Sequence, residues 1–475
     1  MLLLALLLLP LIGTAQTTPD SRPLVFTHVT VIDATGAPAQ PDMTAVIING
    51  RITALGKTGK VNIPANARRI EATGKFLIPG LWDMHCHLLT NWEYAPLYIA
   101  QGVTGVRDMG VGRQLADIAQ LRKDVLAGTV IGPRLIYAGP IVDARNSNPG
   151  MTLAVTTLED ARRAVNSLAD AGVDFIKVYE YLSRESFFAI IEEAKKRGLP
   201  FAGHLPRSIT ASEASDAGQK SMEHVFVFLD ACSTAEAEYK KVRDEYQAAQ
   251  QKGSVPAELR ASWIDANQKL VDGYSSEKCL ELGKRFVKNG TWQVPTFVGN
   301  LAYLMPESSK PDDPRFRYAP PKVVEGWHQR LATMSKEQFA RTQKRAETYV
   351  QVIRDLHRVG VRILAGTDAG TNGFINNVPG FSLHDELVLL VRAGLTPMQA
   401  LQSATINAAE YLNLADSLGT IEKGKKAELL LLDANPLVDI RNTRKINSVV
   451  VNGRLFDRLE LDKLLSGVEA DVKKK

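Results

Sequence analysis

A (β/α)8 barrel carrying a small β-sandwich built from both chain ends is the α/β fold that this 475-residue sequence predicts. Three observations predict it. Eight short apolar segments alternate with helical patterns through the middle of the chain, matching β segments with Asn-Gly turns stand near its two ends, and chemistry-bearing residues recur where the central segments finish. Sustained strand–helix alternation on this scale belongs to parallel α/β architectures, and eight units suit a barrel better than an open sheet.

The two ends come first. Residues 25–33 and 43–56 read as alternating strands with Asn49-Gly50 as a hairpin turn, and residues 418–436 and 446–456 repeat the pattern with Asn452-Gly453. Neither piece can bury a face alone, so residues 16–76 and 420–460 are expected to form one sandwich. Between them, residues 77–419 supply the barrel. Its strands are read at 76–88, 103–109, 134–139, 174–179, 200–205, 221–228, 292–298 and 361–370. Helical patterns such as 158–172 and 184–198 separate them and close on Gly172 and Gly198, as helix C-termini do. Two stretches exceed an ordinary connection: 233–290, rich in Glu, Lys and Gln, and 304–348, with a loop from Pro306 to Pro321. They follow the sixth and seventh strands, so they are expected to wall or cover the site. Residues 461–475 read as a polar tail.

Composition narrows the class. Hydrophobic residues make up 45%, charged residues 23%, and the formal net charge is +5. Basic and acidic residues are interleaved, and no basic face or reading module points to nucleic acid. Leu2 to Ile12 is an apolar run too short to span a bilayer, followed by Gly13-Thr14-Ala15. This pattern is that of a secretory signal over residues 1–15, cleaved before Gln16, with export to the periplasm or medium and no stable membrane insertion afterwards. Export permits disulfides. Of the three cysteines, Cys86 reads as a small core residue, while Cys232 and Cys279 flank the first insertion and could staple it.

The chemistry concentrates at strand ends. His85 and His87 are two apart in Asp-Met-His-Cys-His, which in a strand sends both imidazoles to one face. His204 ends the fifth strand, His224 the sixth, Asp368 the eighth, and Lys177 interrupts the apolar fourth. Each alone is weak evidence, since a strand histidine is more often a satisfied core residue. Six such residues at five strand mouths would converge on one point. Imidazole and carboxylate ligands suit Zn²⁺, with open positions for catalysis.

This set resembles the amidohydrolase superfamily, in its binuclear form with a lysine on the fourth strand. The resemblance runs from about Leu24 to Phe456. It is carried by Leu77-Ile-Pro-Gly-Leu-Trp-Asp-Met-His-Cys-His, by Gly-Thr-Asp-Ala-Gly around Asp368, and by Gly394-Leu-Thr-Pro-Met-Gln-Ala-Leu-Gln-Ser-Ala-Thr. Within it the chain is most similar to the imidazolonepropionase-related group that includes Xaa-Pro dipeptidases. The resemblance implies two divalent metal ions, Zn²⁺ by ligand type: His85 and His87 on the more buried one, His204 and His224 on the more exposed. It implies an N6-carboxylated Lys177 as the bridge, and Asp368 as both ligand and general base. Two cations sharing a water lower its pKa toward neutrality, and a carboxylate can move the proton to a leaving amine.

The expected function is hydrolysis of an amide or peptide bond in a small dipeptide or N-acyl amino acid. A single-metal deaminase would want a glutamate soon after the fifth-strand histidine, whereas Leu205-Pro206-Arg207 follows His204. Imidazolonepropionase lacks the lysine bridge. A lactonase or phosphotriesterase with the same metals stays open, as does a non-catalytic binding protein. Position suggests Tyr179, Tyr181, Arg207 and His384 for the substrate pocket, with Arg207 able to hold a carboxylate in a two-pronged contact. The partner is thus a small molecule, and a homo-oligomer is compatible with the sequence.

Overall fold

The structure, a computed structural model, describes residues 22–144, 150–301, 312–370 and 374–474. The expected signal segment and the start of the second insertion lie outside the described residues.

The chain ends meet in one eight-stranded sheet. Strands Leu24–Val31, Gln40–Ile48, Arg51–Lys57, Arg68–Glu71 and Phe76–Pro79 come from the N-terminal side, and Leu429–Leu432, Ile446–Val451 and Arg454–Phe456 from the C-terminal side. The seam is the antiparallel pairing of Phe76–Pro79 with Leu429–Leu432. The hydrogen bonds thus make a single sheet rather than two. Phe26, Val29, Ile47 and Ile52 share one buried cluster with Leu429, Leu431 and Val450. Both Asn-Gly turns have positive φ at each residue, as hairpin turns require. They also touch: a Cβ on Gly453 would stand 2.7 Å from the Gly50 Cα, so only glycine allows the two turns to pack.

The expected strand 76–88 divides at Gly80. Phe76–Pro79 belongs to the terminal sheet, and Leu81–Cys86 begins the central α/β region. A Cβ on Gly80 would lie 2.2 Å from the Thr104 hydroxyl, so the chain can turn there only without a side chain. The boundary expected at residue 76 therefore moves to Gly80.

The central strands are short and parallel. Leu81–Cys86, Val103–Asp108 and Arg134–Tyr137 form a three-stranded sheet. Ile141–Asp143, Ile176–Val178, Phe201–Gly203, Ser221–Glu223 and Trp292–Val294 lie in a six-stranded sheet with Thr152–Ala154 at its edge. The expected eighth strand, 361–370, is not a regular strand. It is held by isolated parallel bridges, Gln293 to Ile363 and Cys86 to Ala369, and by hydrogen bonds from Met84 N to Ala365 O (2.9 Å) and His87 N to Ala369 O (2.7 Å).

Helices cover these strands because their apolar residues recur at helical spacing. In Leu158–Asp170 the buried residues are Ala161, Ala164, Val165 and Leu168, and Thr157 and Asp160 form a capping box. In Arg184–Lys196, Ser183 caps the start, Phe187, Ile190, Ile191 and Ala194 are buried, and Gly198 follows with φ +67°. Each large apolar side chain so buried contributes roughly 1.5–3 kcal/mol.

The first insertion contains helices Glu236–Gln251, Ala257–Asp272 and Ser276–Asn289. Cys232 and Cys279 are joined as a disulfide across a separation of 47 residues, and Cys86 is free and buried. A loop of this length implies that the bond stabilises the fold by about 4 kcal/mol through chain entropy. Urea unfolding with and without a phosphine reductant checks this: reduction is expected to move the midpoint well down, and coincident curves would refute it. The second insertion contributes Pro321–Ala332 and leads into Lys336–Arg358. The expected polar tail is instead the helix Arg458–Val472, because Leu461, Val468 and Val472 make an apolar stripe that is buried. Among the described residues no helix is long and apolar enough to cross a membrane.

Candidate active site

His85, His87, His204, His224 and Asp368 stand together at the C-terminal ends of the parallel strands, all nearly inaccessible to solvent. Strand alternation turns His85 and His87 the same way, with ring centroids 5.8 Å apart. Alternation cannot direct His224, because Glu223 precedes it and also faces inward. The regular strand stops at Glu223, and His224 takes φ +68°. Asp368 (φ +57°) and Thr296 (φ +47°) are also left-handed. Such residues cost roughly 1–3 kcal/mol each and persist only where surrounding structure holds them.

The four imidazoles share one orientation rule. Each Nδ1 is bonded to the protein: His85 to Glu223 (2.8 Å), His87 to the Gly110 carbonyl (3.0 Å), His204 to Glu180 (3.2 Å) and His224 to the Thr296 hydroxyl (2.6 Å). For three of them Nε2 faces Asp368, at 3.4 Å from His85, 3.2 Å from His87 and 3.8 Å from His224. His204 packs beside His224, with centroids 4.6 Å apart. Donor atoms of His85, His224 and Asp368 all lie within 4.8 Å of one another. Imidazoles fixed through Nδ1 with Nε2 turned inward, beside a carboxylate, fit a divalent metal.

Lys177 sits beside this cluster, 1% exposed, its ammonium 5.9 Å from the centroid of the Tyr179 ring. Among the described residues it makes no ion pair or hydrogen bond. Burial pushes its pKa down to about 8, partly opposed by Glu223 and Asp368. Burial and the Lys177 charge push His204 down to about 4. Burial works against the Asp368 carboxylate, yet His85 and the hydrogen bonds of His85 and His87 hold it well below the usual range.

Beneath the histidines lies a buried polar network. The Arg107 guanidinium donates Nη2 to both Glu223 oxygens (2.9 and 2.8 Å), Nη1 to Ser221 Oγ (3.0 Å) and to the Tyr411 hydroxyl (2.8 Å), and Nε to Met84 O (2.6 Å). Ser221 donates to Glu223 at 2.6 Å, so Glu223 receives arginine, serine and histidine at once. Asp83 accepts from the Thr367 hydroxyl (2.6 Å) and from the amides of Thr367 (3.1 Å) and His85 (3.2 Å), tying the first strand to segment 361–370. Burial raises its pKa to about 7. Sequence reading passed over Arg107, Glu223, Asp83 and Glu180. Charged residues inside apolar strands, as in VTGVRD and SME, were the available signal, since a buried charge needs a partner.

The pocket candidates divide. Tyr179 lies against His204, with centroids 4.1 Å apart and the rings tilted by 32°. Tyr181 lies under the Arg207 guanidinium at 4.3 Å. Arg207 does not present a free charge: its Nη2 donates to Glu180 at 2.7 Å, and Gln247 accepts from Nη1 and Nε. Its expected role as carboxylate anchor is corrected, because Glu180 already neutralises it. Glu180 itself is opposed by burial, but His204 and Arg207 hold its pKa down to about 2. His384 is not a pocket residue. Its Nδ1 meets Thr443 (2.9 Å) and its Nε2 meets the Gln101 carbonyl (3.0 Å), so both nitrogens serve the core.

Parallel strands alternating with helices, bearing a histidine–carboxylate cluster at their C-terminal ends, give an α/β fold of the TIM-barrel type with a candidate metal site. The model of the amidohydrolase family matches residues 76–240 and 317–456, and the chain belongs to that family. It is an enzyme, an amidohydrolase acting on carbon–nitrogen bonds. Ochratoxinase from Aspergillus niger is 23% identical over 483 residues, covering 87% of this chain and 82% of that protein. A putative prolidase from Bifidobacterium longum superposes with a TM-score of 0.65 at 26% identity, over 95% of this chain and 100% of the other. Bottromycin amidohydrolase shares the fold with a TM-score of 0.71 at 22% identity, over 95% and 91% of the two chains.

Proposed function

We propose that this enzyme hydrolyses the amide bond of a dipeptide or N-acyl amino acid, with two Zn²⁺ ions held by His85, His87, His204, His224, Asp368 and an N6-carboxylated Lys177. One observation carries the reading: four imidazoles are each fixed through Nδ1, three of them turn Nε2 toward one buried carboxylate, and the fourth packs beside these. When bound, the metals would supply Lewis acidity toward the scissile carbonyl and toward the attacking water. The chain's own groups do the rest. Asp368 takes the water's proton on a carboxylate oxygen and delivers it to the leaving nitrogen. Glu223, Glu180 and Thr296 hold His85, His204 and His224 in the tautomer that leaves Nε2 unprotonated.

A buried ammonium with no ion pair or hydrogen bond is costly, which favours carboxylation of Lys177. Its neutral Nζ attacks the carbon of CO₂ and releases a proton, leaving a carbamate anion. The likeness to a putative prolidase supports the substrate class. Bridges on both sides of segment 361–370 support closure of the eight strands into a ring. The disulfide in the first insertion and the apolar N-terminal run support export.

Protein prepared with zinc and bicarbonate is expected to carry close to two metals per chain, and Lys177→Ala close to one, by elemental analysis. One metal or none in the wild type would sink the binuclear site. A screen of the loaded enzyme against dipeptides, N-acyl amino acids, lactones and aryl phosphotriesters tests the bond. Turnover confined to lactones or phosphotriesters would overturn the amide assignment.

A further inference from the structure

A cavity of about 510 Å³ lies between the strand mouths and the helical insertion, within the range of small-molecule sites. Phe226 and Glu180 line its inner side. Phe226 is nearly parallel to the His224 ring, with centroids 5.1 Å apart, and Glu180 accepts the His204 Nδ1 bond. The cavity thus abuts two of the candidate ligands through single side chains.

Its outer wall is aromatic. Trp263, from Ala257–Asp272, is flanked by Tyr239 and Tyr246, from Glu236–Gln251, at 5.4 and 5.2 Å between centroids. Arginines join this wall. Arg243 pairs with its neighbour Asp244, a carboxylate 66% exposed to solvent, so that pair is screened, and it also acts on the buried Asp230 carboxylate. Arg345, from Lys336–Arg358, is exposed and has no hydrogen bond or ion pair among the described residues. Three arginines face two carboxylates around the cavity, and one of those carboxylates, Glu180, is already paired with Arg207.

A purely apolar guest would leave Arg345 without a counter-charge, and a purely polar one would leave the aromatic wall wet. We infer that the cavity binds the part of the substrate beyond the scissile bond, and that this part is a flat aromatic group bearing a carboxylate. The ring lies against Trp263 and its flanking tyrosines, and the anion reaches Arg345. The assignment to a substrate half rests on the hydrolase reading, but the binding chemistry can be tested without turnover.

The probes are 2-naphthoate and its uncharged analogue 2-naphthamide, titrated calorimetrically into the full-length protein with and without metal. Wild type is expected to bind naphthoate roughly tenfold more tightly than naphthamide. Arg345→Met is expected to abolish that difference and leave naphthamide unchanged, and Trp263→Leu to weaken both probes. Arg345 is exposed, so its variant should fold. Naphthoate affinity that survives Arg345→Met would take the anion off Arg345, and affinity that vanishes on chelation would place it at the histidine cluster; either result overturns the inference. These titrations decide it even if no amide in the screen is hydrolysed.

Discussion

Asp368→Asn is expected to lower kcat by roughly 10²–10⁴, the range for loss of a general base. The substitution is clean because of where the residue sits. Asp368 is left-handed at φ +57°, a conformation that asparagine tolerates as well as aspartate. Its amide donates to His85 O at 2.6 Å, and the variant keeps this bond. An amide side chain retains the shape and one oxygen but cannot accept the water's proton. The measurement is kcat on the best substrate, with metal content determined on the same sample. A variant within threefold of wild type at equal metal content would remove Asp368 from the role of base.

Glu223→Ala is expected to destabilise the fold by roughly 3–5 kcal/mol, because it leaves Arg107 buried without its carboxylate. His85 would at the same time lose its Nδ1 partner, and metal affinity should fall by about 10–100-fold. The two effects separate in a cycle. Arg107→Met with Glu223→Leu replaces the pair by apolar groups of similar size and should recover much of the stability, but not the metal affinity. Thermal unfolding of the apoprotein and chelator competition give the two readouts. An unchanged melting temperature in Glu223→Ala would show that solvent reaches Arg107. Full metal affinity in the double variant would show that His85 needs no orienting partner.

Much of the architecture was legible in local pattern. The helices at 158–170 and 184–196 follow from apolar spacing, caps and closing glycines. The Asn-Gly hairpins at 49–50 and 452–453 follow from turn chemistry. The split at Gly80 was not legible, since it depends on Thr104 arriving alongside. Nor was the C-terminal helix 458–472, whose apolar stripe is sparse and becomes meaningful only once the body of the protein covers Leu461, Val468 and Val472.

The sequence by itself determined which residues could do chemistry. His85-x-His87 shares a face by strand period, and His204, His224, Lys177 and Asp368 stand where strands finish. It also carried the family, through motifs that are each short and contiguous in the chain. Tertiary structure alone decided how those side chains are aimed and neutralised. His224 and Asp368 turn inward through left-handed backbone, a state that their residue types do not dictate. His85 is oriented by Glu223, 138 positions away, and His384 is consumed by Thr443 and Gln101. Arg207 loses its free charge to Glu180, 27 positions earlier, while Arg345 reaches the cavity from a different helix and keeps its own. The physical reason is that hydrogen bonds and ion pairs act over about 3 Å in space, whatever the distance along the chain. A residue's type sets what it can donate or accept, and only the fold determines which partner arrives first.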